Sequence, residues 1–212
     1  MSIDKIRREY LIAELRRGDL NPDPMVQFQQ WLDGAVAEEL IDATAMTVAT
    51  VSEQGQPSTR IVLLKQVGAE GFVFFTNSGS RKATELAGNK KVSAHFYWSA
   101  LERQVKICGH AQQVSAEMAG EYFVSRPIDS QFATWASPQS QVVDNKEYLN
   151  LEVERVQKEF AGQSVTPPPF WVGYRIVPEE IEFWQGGENR LHDRFIYRRS
   201  EDQDWVINRL AP

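Results

Sequence analysis

The sequence predicts an antiparallel β-barrel of the α+β class with flanking helices, and three observations lead there. About eight or nine short runs rich in Val, Ile, Leu, Phe and Thr recur at hairpin spacing, helices are inserted among them rather than alternating with them, and no glycine-rich turn of a doubly wound parallel sheet occurs. A chain of 212 residues can bury roughly 70% of its unfolded surface around one core. With no repeat, low-complexity tract or linker to divide it, residues 1–212 are expected to form a single domain.

In chain order, Ile3, Ile6, Tyr10, Ile12 and Leu15 lie among charges at roughly helical spacing, with Gly18 as a stop. This predicts a short amphipathic helix over Ile3–Arg17, within an N-terminal segment of residues 1–20. Asp23 can cap a second helix that starts at Pro24 and runs through Phe28, Trp31, Leu32, Val36 and Leu40. The runs Ala45–Val51, Thr59–Val67 and Gly71–Thr76, separated by turn-forming residues 53–57 and 68–71, read as an antiparallel meander. A helix from Ser80 to about Ala87 follows, then strands Val92–Trp98 and Arg103–Gln113. Helical segments are expected over Ala116–Arg126, after Pro127, and over Asn145–Phe160, with Pro167, Pro168 and Pro169 closing that section. Residues 170–212 return to strands: Phe170–Val177, Ile181–Gln185, Arg194–Arg199 and Trp205–Leu210.

Composition narrows the function classes. With 23 Lys and Arg against 29 Asp and Glu, the net charge of -6 gives no general attraction to nucleic acid or to an acidic membrane. Neither is expected as a partner. The lone Cys108 cannot form an intrachain disulfide, Met1–Asp19 carries charge throughout with no apolar leader core, and no stretch is long enough to cross a bilayer. A cytoplasmic protein is expected. Any anion it binds must be held by a local cluster of cations.

Four segments offer such clusters. Residues 75–82 join a strand to a helix and are dense in hydroxyls, and Arg81 and Lys82 sit in the first helical turn, where the macrodipole disfavours cations unless an anion is bound. A solvated polar loop explains the same residues equally well. Arg60 and Lys65 bracket the apolar run Ile61, Val62, Leu63 and Leu64; alternation puts the two cations on opposite faces, roughly 17 Å apart, as if serving different groups. Snorkelling strand-end charges are the plainer account. Tyr122 and Arg126 form an i,i+4 pair with Ser130 just beyond the break at Pro127, a cradle suited to a phosphate ester that also arises by chance on amphipathic helices. If the backbone is extended from Arg190 onward, Arg190, His192 and Arg194 share one face after Trp184 and the pair Gly186-Gly187, as a planar anionic ligand would require, and an exposed edge-strand face would show the same alternation. His95 and His110 lack partners at metal-ligand spacing and read as structural; no metal site is proposed, and no motif supports a covalent nucleophile.

Taken in this order, the segments resemble the pyridoxamine (pyridoxine) 5′-phosphate oxidase family, flavin enzymes that make pyridoxal 5′-phosphate. The resemblance runs from Arg7 to the terminal Arg209-Leu210-Ala211-Pro212 and is most specific over Ile181–Arg194, which matches the family's C-terminal signature without a gap. Arg60–Lys65, Thr76–Lys82, Glu102–Val105 and Ser125–Pro127 match as well. It implies the FMN-binding split barrel and a homodimer with FMN at the subunit interface. By position, Arg60, Arg81 and Lys82 would hold FMN, chiefly at its phosphate, with Thr76 and Ser80 nearby and Ile61, Val62, Leu63, Leu64, Lys65 and Phe75 alongside. Gln104, Gln139, Ser140, Trp184 and Arg194 would line the rest of the flavin. Lys65, Tyr122, Arg126 and Ser130 would take the substrate phosphate, while Arg190 and His192 would contact the pyridine ring as the catalytic pair. Arg7 and Tyr10 match residues that close over the substrate, Asp42 matches a further active-site position, and Phe75 stands where many relatives have Tyr. The implied reaction oxidises pyridoxamine 5′-phosphate and pyridoxine 5′-phosphate to pyridoxal 5′-phosphate, with molecular oxygen as acceptor, hydrogen peroxide as product, and ammonia released from the amine. Two rivals are a split-barrel flavin reductase of another substrate and a non-catalytic flavin or pyridoxal-phosphate binding protein.

Overall fold

The computed structural model describes residue 2, residues 9–202 and residues 204–212. Among them, strands β1 (Ala45–Val51), β2 (Pro57–Leu63), β3 (Gln66–Gly68), β4 (Gly71–Asn77), β5 (Lys91–Trp98), β6 (Arg103–Gln113), β7 (Trp171–Gln185), β8 (Asp193–Arg199) and β9 (Trp205–Leu210) form one sheet. Its order is β2-β1-β5-β6-β7-β4-β3, with β8 also on β7 and β9 on β8, and every pairing is antiparallel. The helices are α1 (Pro24–Ala37), α2 (Arg81–Gly88), α3 (Ala116–Ser125), α4 (Ile128–Ala136) and α5 (Lys146–Glu159). None of them is long and apolar enough to cross a membrane.

The curl of the sheet comes from β7. One edge of this strand pairs with β6 from Tyr174 to Gln185, while the other pairs with β4 over Trp171–Ile176 and with β8 over Glu180–Gln185. The sequence expects two separate strands here, Phe170–Val177 and Ile181–Gln185, and Pro178 between them has no N–H to give a ladder. The structure instead keeps one strand by setting Pro178 opposite Gly109, where the β6 register shifts by a bulge between Cys108 and Gly109.

The expected meander also differs. β1 and β2 form a hairpin and β3 and β4 another, but the two stand at opposite ends of the sheet path, because β5 takes the free edge of β1 and β7 takes that of β4. Local turns were readable in the sequence, whereas long-range partners were not.

Inward residues of the strands pack on α1, whose start is fixed by Asp23 accepting from Met25 N–H and by Pro24 in the first turn. Phe28 meets the rings of Phe72 at 4.8 Å and Phe96 at 5.0 Å, and Trp31 meets Phe183 at 5.2 Å. This aromatic plug closes the core.

The N-terminal helix is not formed over the described part of its range. Residues 9–16 carry no helix, and only a single 3-10 turn, Arg17–Asp19, follows. Backbone donors that a helix would use internally are taken by distant carboxylates: Ile12 N–H by Glu102 and Leu15 N–H by Asp193. Residues 3–8 lie outside the described residues.

Gly109 supports the bulge because a Cβ there would lie 2.0 Å from the Val177 carbonyl oxygen, a backbone atom that cannot step aside. Gly109→Ala should therefore lose about 2 kcal/mol or more of stability, read as a lower urea midpoint at unchanged slope; an unaltered midpoint would show that the bulge is not sterically fixed.

Candidate active site

A cavity of about 580 Å³ opens where β2, β4, α2, α3 and the start of α4 converge. β2 lines it with Arg60, Ile61, Val62 and Leu63, and β4 with Phe75 and Thr76. Lys82 enters from α2, Tyr122 from α3, Arg126, Pro127 and Ser130 from the α3–α4 junction, and Gln139 from the loop beyond α4.

Lys65 also faces this cavity, contrary to the opposite-face expectation. Strand β2 ends at Leu63; Leu64 N–H then bonds Thr44 O and Lys65 N–H bonds Val73 O, so the chain changes partner between the two cations. Leu64 turns into the core as a result. Arg60 and Lys65 are thereby delivered to one volume.

The cations at its base are organised by a buried carboxylate. Glu85 accepts hydrogen bonds from Thr50 and Ser58, from Arg60 Nη2 at 3.3 Å and from Arg81 Nε at 2.8 Å. Burial opposes its ionisation, but the Thr50, Ser58 and Arg81 hydrogen bonds prevail and hold it down at about 2. Lys82 is nearly buried and donates to Thr76 Oγ1 at 3.0 Å and Gln139 Oε1 at 2.9 Å. Burial, and then repulsion from Arg60, bring its pKa down to about 8. A cation held there without a carboxylate of its own fits a phosphate as the missing partner. Ser80 is buried and caps α2 through Ala83 N–H, while Arg81 is largely exposed; neither lines the cavity wall.

The opposite wall is aromatic. Phe75 stacks on Tyr122 with centroids 4.2 Å apart, Trp171 continues the stack, and the Arg126 guanidinium lies 4.7 Å from the Trp171 centroid while donating to Thr134. Lacking a hydroxyl, Phe75 contributes only its ring face. Trp171 escaped the sequence reading; its place follows from the pairing of Trp171 with Asn77, which no local pattern reveals.

A second cavity of about 310 Å³ gathers Gln104, Trp184 and Arg194 with His95, Lys106, Glu182 and Pro212. Buried Glu182 accepts from Lys106 Nζ at 2.6 Å and from Arg194 Nε at 2.7 Å, and His95 Nε2 lies 3.0 Å from Gln104 Oε1. Burial raises the Glu182 pKa, but the Arg194 and Lys106 hydrogen bonds outweigh it and the net direction is down. β2 is separated from β6 by β1 and β5, so the residues assigned to one flavin fall in two places about 14 Å apart along the curled sheet.

The segment after Trp184 is not extended where expected. Glu188–Arg190 form a 3-10 turn with Asn189 at φ 52 and Arg190 at φ 64, and the strand resumes only at Asp193. The chain folds back tightly enough that a Cβ on Gly187 would lie 2.6 Å from Leu191 O. Arg190 is exposed on this turn, while His192 sits against Trp184 at 4.6 Å and Tyr10 at 5.4 Å. Gly187 N–H donates to His192 Nδ1 at 3.1 Å, so the neutral ring carries its proton on Nε2. Asp42 is exposed in the turn before β1 at φ 54, and Ser140 is exposed at φ 71; neither lines the two cavities. Arg7 lies outside the described residues. Among those residues, no cluster of His, Cys, Asp and Glu is arranged to hold a metal ion.

Fold and site define an antiparallel barrel with cavities rich in cations, and comparison with known proteins specifies the family. Residues 32–160 match the family model described as pyridoxamine 5′-phosphate oxidase, and residues 171–212 match that of the pyridoxine 5′-phosphate oxidase C-terminal dimerisation region. Proteins named pyridoxine/pyridoxamine 5′-phosphate oxidase from Pseudoalteromonas translucida and Vibrio cholerae are 51% and 52% identical, each over the whole of both chains. A solved structure of PhzG from Burkholderia lata, in complex with tetrahydrophenazine-1-carboxylic acid, superposes with a TM-score of 0.89 at 28% identity, covering 95% of this chain and 99% of that one. An FMN-binding protein from Nostoc punctiforme shares the fold at 15% identity with a TM-score of 0.72, covering 91% and 99%. The chain belongs to the pyridoxamine 5′-phosphate oxidase family and is an enzyme, an oxidoreductase.

The lowered Lys82 would give the binding of a phosphate group beside it, such as that of FMN, a pH dependence. A bound phosphate favours the ammonium form and raises that pKa, so above about 8 binding must take up a proton and affinity falls by up to tenfold per pH unit, whereas below it this group leaves affinity flat. Fluorescence titration of FMN between pH 7 and 10 should show that break, absent in Lys82→Met; a break of equal size in Lys82→Met would assign it to another group.

Proposed function

We propose that this chain is an FMN-dependent oxidase that converts pyridoxamine 5′-phosphate and pyridoxine 5′-phosphate to pyridoxal 5′-phosphate. One observation carries the reading: Arg60, Lys65, Thr76, Lys82, Tyr122, Arg126 and Ser130, drawn from separate parts of the chain, converge on one cavity large enough for two phosphate-bearing groups. Arg60 and Lys82, with Thr76 and Gln139, would hold the FMN phosphate at the base, supported from behind by Arg81 and Glu85. Lys65, Tyr122, Arg126 and Ser130 would take the substrate phosphate at the mouth. When bound, FMN would supply the hydride acceptor and the route of electrons to molecular oxygen, giving hydrogen peroxide, with ammonia released after hydrolysis when the substrate is the amine.

The chain's own contribution is placement. Two anchored phosphates restrict how the planar parts can lie, which turns encounter into orientation and can lower the barrier by several kcal/mol. Trp184 and Arg194 would bound the ring system, with Glu182 and Lys106 fixing the Arg194 guanidinium. His192 presents Nε2–H as a donor because Nδ1 is engaged by Gly187 N–H, which favours a hydrogen bond to the substrate's ring oxygen over a role as base. Arg190, one step before Leu191 on the strained turn, would cover the pyridine.

The division of the flavin-assigned residues between two cavities supports a homodimer in which one protomer supplies the phosphate cavity and its partner supplies Gln104, Trp184 and Arg194. Ile61 at 71% exposure, Tyr97 at 52% and Leu63 at 40% leave an apolar outward sheet face beside these cavities, as such an interface requires.

Mixing pyridoxamine 5′-phosphate with the FMN-loaded protein without oxygen should bleach the flavin, and admitting oxygen should restore it with release of one peroxide per turnover. A flavin that stays oxidised would exclude the oxidase reading, and a protein that takes up no FMN would exclude flavin chemistry altogether. Arg126→Ala should raise KM for the phosphorylated substrate about tenfold or more with FMN affinity unchanged, since a hydrogen-bonded charge pair contributes about 1.5–3 kcal/mol; an unchanged KM would remove Arg126 from the phosphate site.

A further inference from the structure

The strap of residues 9–16 is fastened to the barrel through its backbone. Ile12 N–H donates to Glu102 Oε2 at 3.1 Å and Leu15 N–H to Asp193 Oδ2 at 3.0 Å. Glu102 is buried at 5% exposure in the turn between β5 and β6, with left-handed backbone at φ 54, ψ 37. Its own carbonyl accepts from Gly186 N–H at 2.8 Å and from Gln185 Nε2 at 3.3 Å. One residue therefore holds the strap by its carboxylate and the Gly186-Gly187 turn by its backbone. Tyr10 lies where the two meet: edge-on to Trp184 at 5.6 Å and to His192 at 5.4 Å, and so close to Gly186 that a Cβ there would fall 2.6 Å from the ring.

Glutamate is a poor residue for that backbone. A left-handed non-glycine costs roughly 1–2 kcal/mol, and a buried carboxylate costs more unless hydrogen bonds compensate. Glycine would relieve the first and remove the second; what glutamate adds is an anionic oxygen that reaches the strap. We propose that Glu102 is a positioning residue that latches the strap, so that Tyr10 is closed over the Trp184–His192 end of the site and substrate affinity depends on the Ile12–Glu102 hydrogen bond. The part concerning substrate rests on the oxidase reading above.

Two pairs of variants isolate the bond from either side. Glu102→Ala removes the acceptor while Glu102→Gln keeps an acceptor oxygen on the same strained backbone; Ile12→Pro removes the donor N–H while Ile12→Ala keeps it. In the FMN-loaded protein, Glu102→Ala and Ile12→Pro should each raise KM for pyridoxamine 5′-phosphate about tenfold, the scale of one charge-assisted hydrogen bond. FMN affinity should hold, Ile12→Ala should stay within about twofold, and Glu102→Gln, which keeps the acceptor oxygen but not its charge, should fall between wild type and Glu102→Ala. The double variant Glu102→Ala/Ile12→Pro should be no worse than Glu102→Ala alone, because Ile12→Pro deletes a contact that variant has already lost. Trypsin cleavage at Arg16 should quicken about tenfold in the same two variants and not in Ile12→Ala. Normal KM and normal cleavage in Ile12→Pro, or effects that multiply in the double variant, would overturn the latch. Should Glu102→Ala not fold, the pair at Ile12, on the exposed strap, decides alone. A wild-type protein that leaves pyridoxamine 5′-phosphate unoxidised would sink the oxidase reading, and the cleavage rates would still decide the latch.

Discussion

The structure depends on one electrostatic constraint: Arg60, Arg81 and Lys82 are gathered around one end of the first cavity and their mutual repulsion has to be offset. Like charges within a few ångströms repel by several kcal/mol near a protein surface. Glu85 meets the constraint from behind, taking both guanidinium groups on one buried carboxylate whose ionisation is secured by Thr50 and Ser58. Among the described residues Lys82 is paired with no carboxylate; burial first, and repulsion from Arg60 second, bring its pKa down to about 8. One negative charge among three positive ones leaves a local positive surplus, which Arg60 and Lys82 present to the cavity, in a protein whose net charge is -6.

The sheet then carries this cluster to the right place. β7 changes partner from β4 to β8 half-way along, so residues at its two ends serve different walls: Trp171 the aromatic side of the first cavity, Trp184 the second. The Gly109 bulge and Pro178 mark the point of exchange. A strand with one uninterrupted partner on each edge would put both tryptophans in one flat sheet, and the cavities would lose their curvature.

Much of this was readable in the sequence where the cause is local. The N-cap Asp23 with Pro24 and the strand limits of β1, β6 and β9 follow from spacing and turn chemistry. Three features did not follow, each because a distant group decides it. Residues 9–16 have helical spacing but surrender their N–H groups to carboxylates 90 and 178 positions away. Arg60 and Lys65 share a cavity because the partner strand changes at Leu64, which period-2 reasoning cannot see. Arg190 leaves the expected extended run because Gly187 permits a fold-back against Leu191. The Lys106–Glu182 pair, directly opposite across β6 and β7, becomes visible only once that register is known.

The two cavities also bear on how assembly and chemistry are linked under the proposed reading. Within one chain, Glu182 and Lys106 already satisfy Arg194, and Glu85 already satisfies Arg60 and Arg81, so each half is preorganised without the other. A ligand that touches both halves gains from two rigid surfaces and pays little to order them. If those halves belong to different protomers, ligand binding favours the dimer and the dimer favours the ligand by the same free energy. The exposed Ile61, Leu63 and Tyr97 face would then supply the apolar part of association, while the charged groups, poorly suited to burial without a partner anion, would decide which ligand completes it.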